Sequence, residues 1–222
     1  MNLAKELINH MIPPLKLIDK ANRAIIWMEE LRTNQLPVVA EGKFKGFISE
    51  EIILESNQLD LPISEYPILG KECFVHDHQH FYEIIKLATD NKVELIGVID
   101  QEDQYLGVIT VKDTLNAFAQ TSAVQSPGGI LILSMPQIDY SLSEISRLIE
   151  SDGAKILSSS LNNDLLDPSK IKLTLKINIT EISRIVATLE RFGYKIIAQY
   201  QDSPMASNEK ERMDILLKYL DI

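Results

Sequence analysis

The residues best placed for chemistry are Thr110 and, three positions on, Asp113, in the phrase Gly107-Val108-Ile109-Thr110-Val111-Lys112-Asp113. A threonine followed at that spacing by an acid, where a helical pattern begins, is a capping box that satisfies free backbone N–H groups. The same geometry suits a ligand. A helix start offers unpaired N–H groups and the positive end of a dipole to phosphate, and a carboxylate beside it accepts charge-assisted hydrogen bonds from ribose hydroxyls. Both readings account for the pair, and the sequence leaves both open. An earlier phrase, Gly46-Phe47-Ile48-Ser49-Glu50-Glu51-Ile52, repeats the pattern with Ile52 in the place of Asp113. Isoleucine accepts no hydrogen bond, so that half keeps only the Ser49 hydroxyl.

Other chemistry is thinner. His76, His78 and His80 alternate, and on a strand three imidazoles would share one face and could hold zinc. In a loop they would face solvent or border a cleft. No carboxylate or cysteine stands ready to complete a metal shell, so no metal is expected. Cys73 is the only cysteine, which excludes an intrachain disulfide and fits a reducing compartment. It has no activating base nearby in sequence, and no Gly-x-Ser-x-Gly elbow or Walker loop occurs. The chain therefore reads as no enzyme, with no required cofactor.

The elements that position these residues repeat at a spacing of about 60 residues, one supersecondary unit used twice. Leu15 and Leu17 mark a strand, Asp19 is the expected N-cap of a helix with Ala24, Met28 and Leu31 on its apolar face, and Leu36-Pro37-Val38-Val39 is a buried strand. Glu41-Gly42-Lys43 turns the chain into Phe44–Ile48. The second copy begins at Phe74-Val75 and runs through Ile84, Ile85 and Ala88 to Ile96-Gly97-Val98-Ile99 and a hairpin around 101–103. Ahead of both, Leu3, Leu7 and Ile8 at helical spacing predict a leading helix over 1–11.

These phrases resemble the tandem cystathionine-β-synthase (CBS) domain family, over about residues 10–57 and 72–120 of a pair spanning 1–120. The resemblance implies a regulatory module binding an adenosine-containing ligand, AMP, ADP, ATP or S-adenosylmethionine, in a cleft between its halves. Carried over by position, it implies that Thr110 faces phosphate and Asp113 holds the ribose. Gly107, Val98 and His76 complete the cleft, with His76 as a wall near the adenine. Gly97 departs from the family pattern, where Pro37 keeps it, and leaves extra room in the second half.

Gln120 to Gly129, with Thr121, Ser122, Ser126, Pro127 and two glycines, is the expected domain boundary. Beyond it, over 128–200, the order is strand (130–135), helix (Leu142, Ile145, Leu148, Ile149), strand (154–161), strand (Leu173, Leu175, Ile177), helix (Ile182, Ile185, Val186, Leu189) and strand (195–200). Capping boxes are expected at 141–144 and 178–181, and stops at Gly153 and Gly193. This α+β order is that of a ferredoxin-like sandwich, and it resembles ACT regulatory domains. Amino-acid-binding members carry a glycine where Tyr140 stands, so Tyr140 is expected to fill the ligand's space. Residues 201–222 form a linker and a C-terminal helix striped by Met213, Leu216, Leu217 and Leu220. That helix is marginal alone and needs a surface on its own chain or a partner. The whole arrangement resembles accessory proteins of acetoin utilisation.

Across 222 residues the net charge is −10, which argues against nucleic acid and against anionic membrane as partners. No apolar run reaches bilayer length, and Met1-Asn2-Leu3-Ala4-Lys5-Glu6 carries charge where a signal peptide would be apolar. The expectation is a cytoplasmic homodimer that binds an adenosine-containing small molecule and regulates a further protein. The competing expectation is a ligand-free interaction or dimerisation module.

Overall fold

The computed structural model describes residues 3–201, and the chain divides into two compact units between Ala119 and Gln120. The helix expected around Met213 to Leu220 lies outside the described residues.

In the first unit one copy of the repeat comprises β1 (Leu15–Lys16), α1 (Ala21–Leu31), β2 (Gln35–Ala40), β3 (Lys43–Ser49) and α2 (Glu50–Ser56). The second comprises β4 (Phe74–His76), α3 (Phe81–Asn91), β5 (Leu95–Ile99), β6 (Tyr105–Thr110) and α4 (Val111–Ala119). Each copy makes a three-stranded sheet, β1-β2-β3 or β4-β5-β6, with its first pair parallel and its second antiparallel. The helices bury one stripe each, Ala21, Ala24 and Met28 in α1 and Phe81, Ile84 and Ala88 in α3, the spacing that turns one helix face inward. All five residues of β5 are buried. The pairings β1–β2 and β4–β5 repeat the register one copy later, Leu15 with Val38 and Val75 with Val98.

Residues ahead of each repeat act as a strap on the other. Asn9 bridges Val108 of β6, and Leu69 bridges Phe47 of β3. This explains the repeated glycine. A Cβ on Gly46 would lie 2.3 Å from the Leu69 carbonyl oxygen, and one on Gly107 would lie 2.4 Å from Cγ2 of Ile8. Only a residue without a side chain lets the strap come that close. The strap also corrects the expected leading helix. Only a single 3-10 turn forms, at Ala4–Glu6, because the backbone bonds elsewhere: Ala4 N–H to Gln79 O (2.8 Å), Lys5 N–H to Asp77 O (3.0 Å) and Asn9 N–H to Val108 O (2.8 Å). A short helix is too weak to compete with such pairing.

Asp19 is not the cap of α1. Lys20 holds that position, and Asp19 instead accepts the Lys16 N–H (2.7 Å) and an Arg23 guanidinium contact (2.9 Å). The room at Gly97 is filled by the ring of Phe44, 3.1 Å from where a Cβ would stand. That ring also stacks on Tyr105 and meets Phe47 and Phe74 edge-on.

The second unit comprises α5 (Ser122–Gln125), β7 (Ile130–Pro136), α6 (Leu142–Ser151), β8 (Ile156–Asn163), β9 (Lys170–Ile177), α7 (Ser183–Arg191) and β10 (Lys195–Tyr200). Its sheet runs β10-β7-β9-β8 with every pair antiparallel, the strand-helix-strand twice over of a ferredoxin-like unit. Leu131, Leu133 and Met135 of β7 and Ile171, Leu173, Leu175 and Ile177 of β9 alternate into one core, which Ile145, Leu148 and Ile149 of α6 and Ile185 and Leu189 of α7 close. Both expected capping boxes are altered. The Ser141 hydroxyl accepts the Glu144 N–H (3.4 Å), but the Glu144 carboxylate takes the Tyr194 hydroxyl (3.1 Å). Asn178 accepts the Lys155 N–H (2.6 Å), and α7 starts later, with Glu181 accepting the Ser183 N–H (3.0 Å).

Candidate functional site

The last residue of β6 and the first turn of α4 build the site. Thr110 leaves the strand as its side-chain oxygen accepts the Asp113 N–H (2.9 Å). The Asp113 Oδ2 in return accepts the Thr110 N–H (3.0 Å) and hydroxyl (2.7 Å). This is a complete capping box, so that half of the sequence reading is present as geometry. A further donor, the side-chain amide of Asn9, reaches the same Oδ2 at 3.3 Å. Among the described residues no donor reaches Oδ1. Thr110 and Asp113 line a cavity of about 690 Å³ with Asn9, Ile12, Arg32, Thr33, Glu94 and Lys112, within the roughly 300–1,000 Å³ usual for small-molecule sites. Arg32 and Lys112 have no ion-pair partner among the described residues, and they balance Glu94 and Asp113 in charge.

The corresponding cavity of the first repeat, about 610 Å³, is lined by Asn34, Ser49, Glu50, Glu51, Leu69, Glu72, Cys73 and Lys92 among others. Ser49 caps α2 by accepting the Ile52 N–H (3.3 Å). Three carboxylates face one lysine there. Cys73, at its edge, is buried, and burial next to Glu72 pushes its thiol above the usual range.

The structure does not bring the other expected residues to the Thr110 cavity. Gly107 and Val98 are buried and paired with each other across β5 and β6, and Ile8 covers Gly107. His76 lies at the end of β4, half-buried. Its Nδ1 is 3.2 Å from Asp100 O, and its ring stacks on His78 with centroids 5.7 Å apart. It is not among the residues lining that cavity. Because β4 ends at His76, the three histidines do not share a strand face. His80 caps α3 by accepting the Tyr82 N–H (3.3 Å). Among the described residues no group of three metal-ligating side chains is gathered.

Sequence reasoning missed Asn9, Arg32, Glu94 and Lys112. Lys112 stood inside the motif itself. Arg32 and Glu94 hold matching places in the two repeats relative to Lys92 and Asn34, a register the repeat exposes. Asn9 carries no such signal, because its strap crosses to the other repeat.

In the second unit Tyr140 follows a 3-10 turn at Gln137–Asp139 and packs half-buried on the core. Beside it Asp139, Glu144, Tyr194, Lys195 and the β8–β9 hairpin line a cavity of about 820 Å³. Hydrogen bonds from Lys170 (2.6 Å) and Ser169 hold the Asp167 carboxyl down to about 2, so the hairpin's lysines are largely satisfied by their own acids.

No family model matches the chain. Inosine-5'-monophosphate dehydrogenase of Methanocaldococcus jannaschii is 24% identical over 135 residues, which is 60% of this chain and 27% of that protein. The chain thus matches only about a quarter of that relative's length. CBS domain-pair proteins are among its structural neighbours. A CBS domain pair/ACT domain protein from Thermotoga maritima is similar over 53% of this chain and 97% of its own, at 20% identity and a TM-score of 0.49. CBSX2 in complex with AMP is similar over 54% and 98%, at 14% and 0.46. The cytosolic domain of the Mg2+ channel MgtE in complex with ATP is similar over 52% and 48%, at 18% and 0.45. No helix among the described residues is long and apolar enough to cross a membrane.

Proposed function

We propose that the first unit is a CBS-type sensor that binds an adenosine-containing ligand in the second repeat's cleft and regulates a further protein without catalysing a reaction. One observation carries this reading: Asp113 lines a cavity of ligand size with one carboxylate oxygen saturated and the other without a donor among the described residues. A ribose supplies the missing donors. The N-terminal turn of α4 with Arg32 and Lys112 supplies positive charge for phosphate, which favours AMP, ADP or ATP over S-adenosylmethionine. Hydrogen bonds to a charged group contribute about 1.5–3 kcal/mol each, so Asp113→Asn, which keeps the cap's shape, is expected to weaken AMP binding about tenfold to a hundredfold by calorimetry. Ile52→Ala is expected to leave affinity unchanged. Equal losses at both positions, with both variants folded, would place the site in the wrong repeat. The second unit serves, on this reading, as an ACT-like sheet for assembly with Tyr140 in the place of an amino acid. The same titrations extended to free amino acids test that, and a specific amino acid bound would reject it.

A second reading, an assembly module, has its own support. Val111 (46% exposed), Leu115 (63%) and Phe118 (42%) form one exposed apolar stripe on α4 among the described residues, at the spacing of a helix face. We infer that this stripe pairs two copies into a homodimer, consistent with the resemblance to accessory proteins of acetoin utilisation. Sedimentation at micromolar concentration that returns a 25.1 kDa monomer would remove the dimer.

A further inference from the structure

The strap over the second repeat touches the site carboxylate directly. The side-chain oxygen of Asn9 accepts the Met11 N–H (3.0 Å), which fixes the amide so that its nitrogen faces Asp113 Oδ2 at 3.3 Å. Asparagine is suited to both contacts at once. Aspartate would accept from Met11 but could not donate to a carboxylate, and leucine would do neither. The first repeat has the matching apolar set: Leu69 occupies the strap position of Asn9, bridged to Phe47 as Asn9 is to Val108, and Ile52 stands in the place of Asp113. Across the two repeats the polar strap residue goes with the acidic helix start, and the apolar one with the apolar helix start.

We propose that Asn9 is a positioning residue for Asp113, and that the strap and the cleft are thereby coupled, each tightening the other. The proposal rests on the cleft being an adenosine-ligand site. With three donors on Oδ2 the carboxylate is held in one orientation, and its free oxygen is preorganised for a hydroxyl instead of having to be ordered on binding. Coupling of this kind is reciprocal: if Asn9 strengthens the ligand's hold, the ligand strengthens the hold of the strap. No such link can run through Leu69 and Ile52.

The test uses the full chain with AMP as the probe. Wild type, Asn9→Leu (the residue of the other strap), Asp113→Ala and the double variant are titrated by calorimetry. Amide exchange at Met11 is followed with and without AMP. Asn9→Leu is expected to weaken AMP about tenfold and to add little once Asp113 is gone. In the wild type AMP slows exchange at Met11, and in Asn9→Leu it does not. Losses that simply add in the double variant, or Met11 exchange indifferent to saturating AMP, overturn the proposal. Wild type that binds no AMP overturns instead the adenosine reading and with it the coupling. The contact itself is still decided without ligand, because exchange at Met11 must quicken in Asp113→Ala. Unchanged exchange there rejects the strap's tie to the carboxylate. If Asp113→Ala proves unfolded, Asn9→Leu alone carries both readouts.

Discussion

At Gly46 the first repeat is pressed by a backbone carbonyl, Leu69 O, besides the Cγ2 methyl of Ile68, while at Gly107 the second is pressed by the Cγ2 methyl of Ile8. The difference continues into the clefts. Around Ser49 lie Glu50, Glu51 and Glu72 with Lys92, and the helix start ends in Ile52. Around Thr110 lie Arg32 and Lys112 with Glu94, and the helix start ends in Asp113. Two copies of one backbone have thus been given different electrostatics, an excess of carboxylates in the first cleft and a balance of charges in the second. An anion entering the first cleft meets that excess at short range, and in the second it meets two cations, without ion-pair partners among the described residues, that offset Glu94 and Asp113. The lesson is that a repeat fixes where a cleft lies and its few cleft-facing side chains fix what it can hold.

The largest effect expected from this contrast concerns stability. Gly46→Ala must move the strap's main chain and also keep a φ of +123°, a region side chains rarely adopt. Gly107→Ala also keeps a positive φ, +159°, nearer the extended region, and must displace the Cγ2 methyl of Ile8 instead of main chain. Overpacking with such strain costs about 3 kcal/mol or more for the first and about 1–2 kcal/mol for the second. Chemical denaturation of the two variants checks the order. Equal losses would mean that the two straps are held alike and that the contrast at the glycines is without consequence.

Much of the fold was legible because its signals are local. Strand 195–200 and the alternation of Leu173, Leu175 and Ile177 coincide with β10 and β9, since burial on one face writes itself at period two. The box of Thr110 and Asp113 was visible because both partners sit within one helical turn. What was not legible depends on residues far apart in the chain. Leu3, Leu7 and Ile8 have helical spacing, yet their backbone pairs with the second repeat. Asn9 and Asp113 are 104 positions apart. Gly97 showed only an absence, and the ring that fills it belongs to Phe44 in the other sheet. Asp19 and Asn178 look like caps because a short polar side chain at a helix entrance reads the same whether it bonds its own helix or a neighbouring strand.

The smallest effect separates charge from backbone within the same comparison. Arg32 (φ 53°) and Lys92 (φ 54°) both end their helices in the left-handed conformation, which costs a residue with a side chain about 1–2 kcal/mol and glycine almost nothing. Each lines the cleft of the other repeat, Arg32 that of Thr110 and Lys92 that of Ser49. Arg32→Gly and Lys92→Gly should therefore raise stability by a similar amount, about 1 kcal/mol, because glycine's greater freedom in the unfolded chain takes back part of the gain. Their effects on binding should diverge. Losing the exposed Arg32 guanidinium removes a screened attraction to phosphate, worth about threefold to fivefold in AMP affinity, and leaves adenosine unaffected. Losing Lys92 leaves both ligands unaffected, since nothing in its cleft holds the ribose. Denaturation and calorimetry on the same two proteins check both halves of the claim. A variant that gains stability while losing AMP but not adenosine shows that Arg32 acts through its charge. Parallel losses of AMP from Arg32→Gly and Lys92→Gly would mean that the clefts do not differ in the way their carboxylates and cations imply.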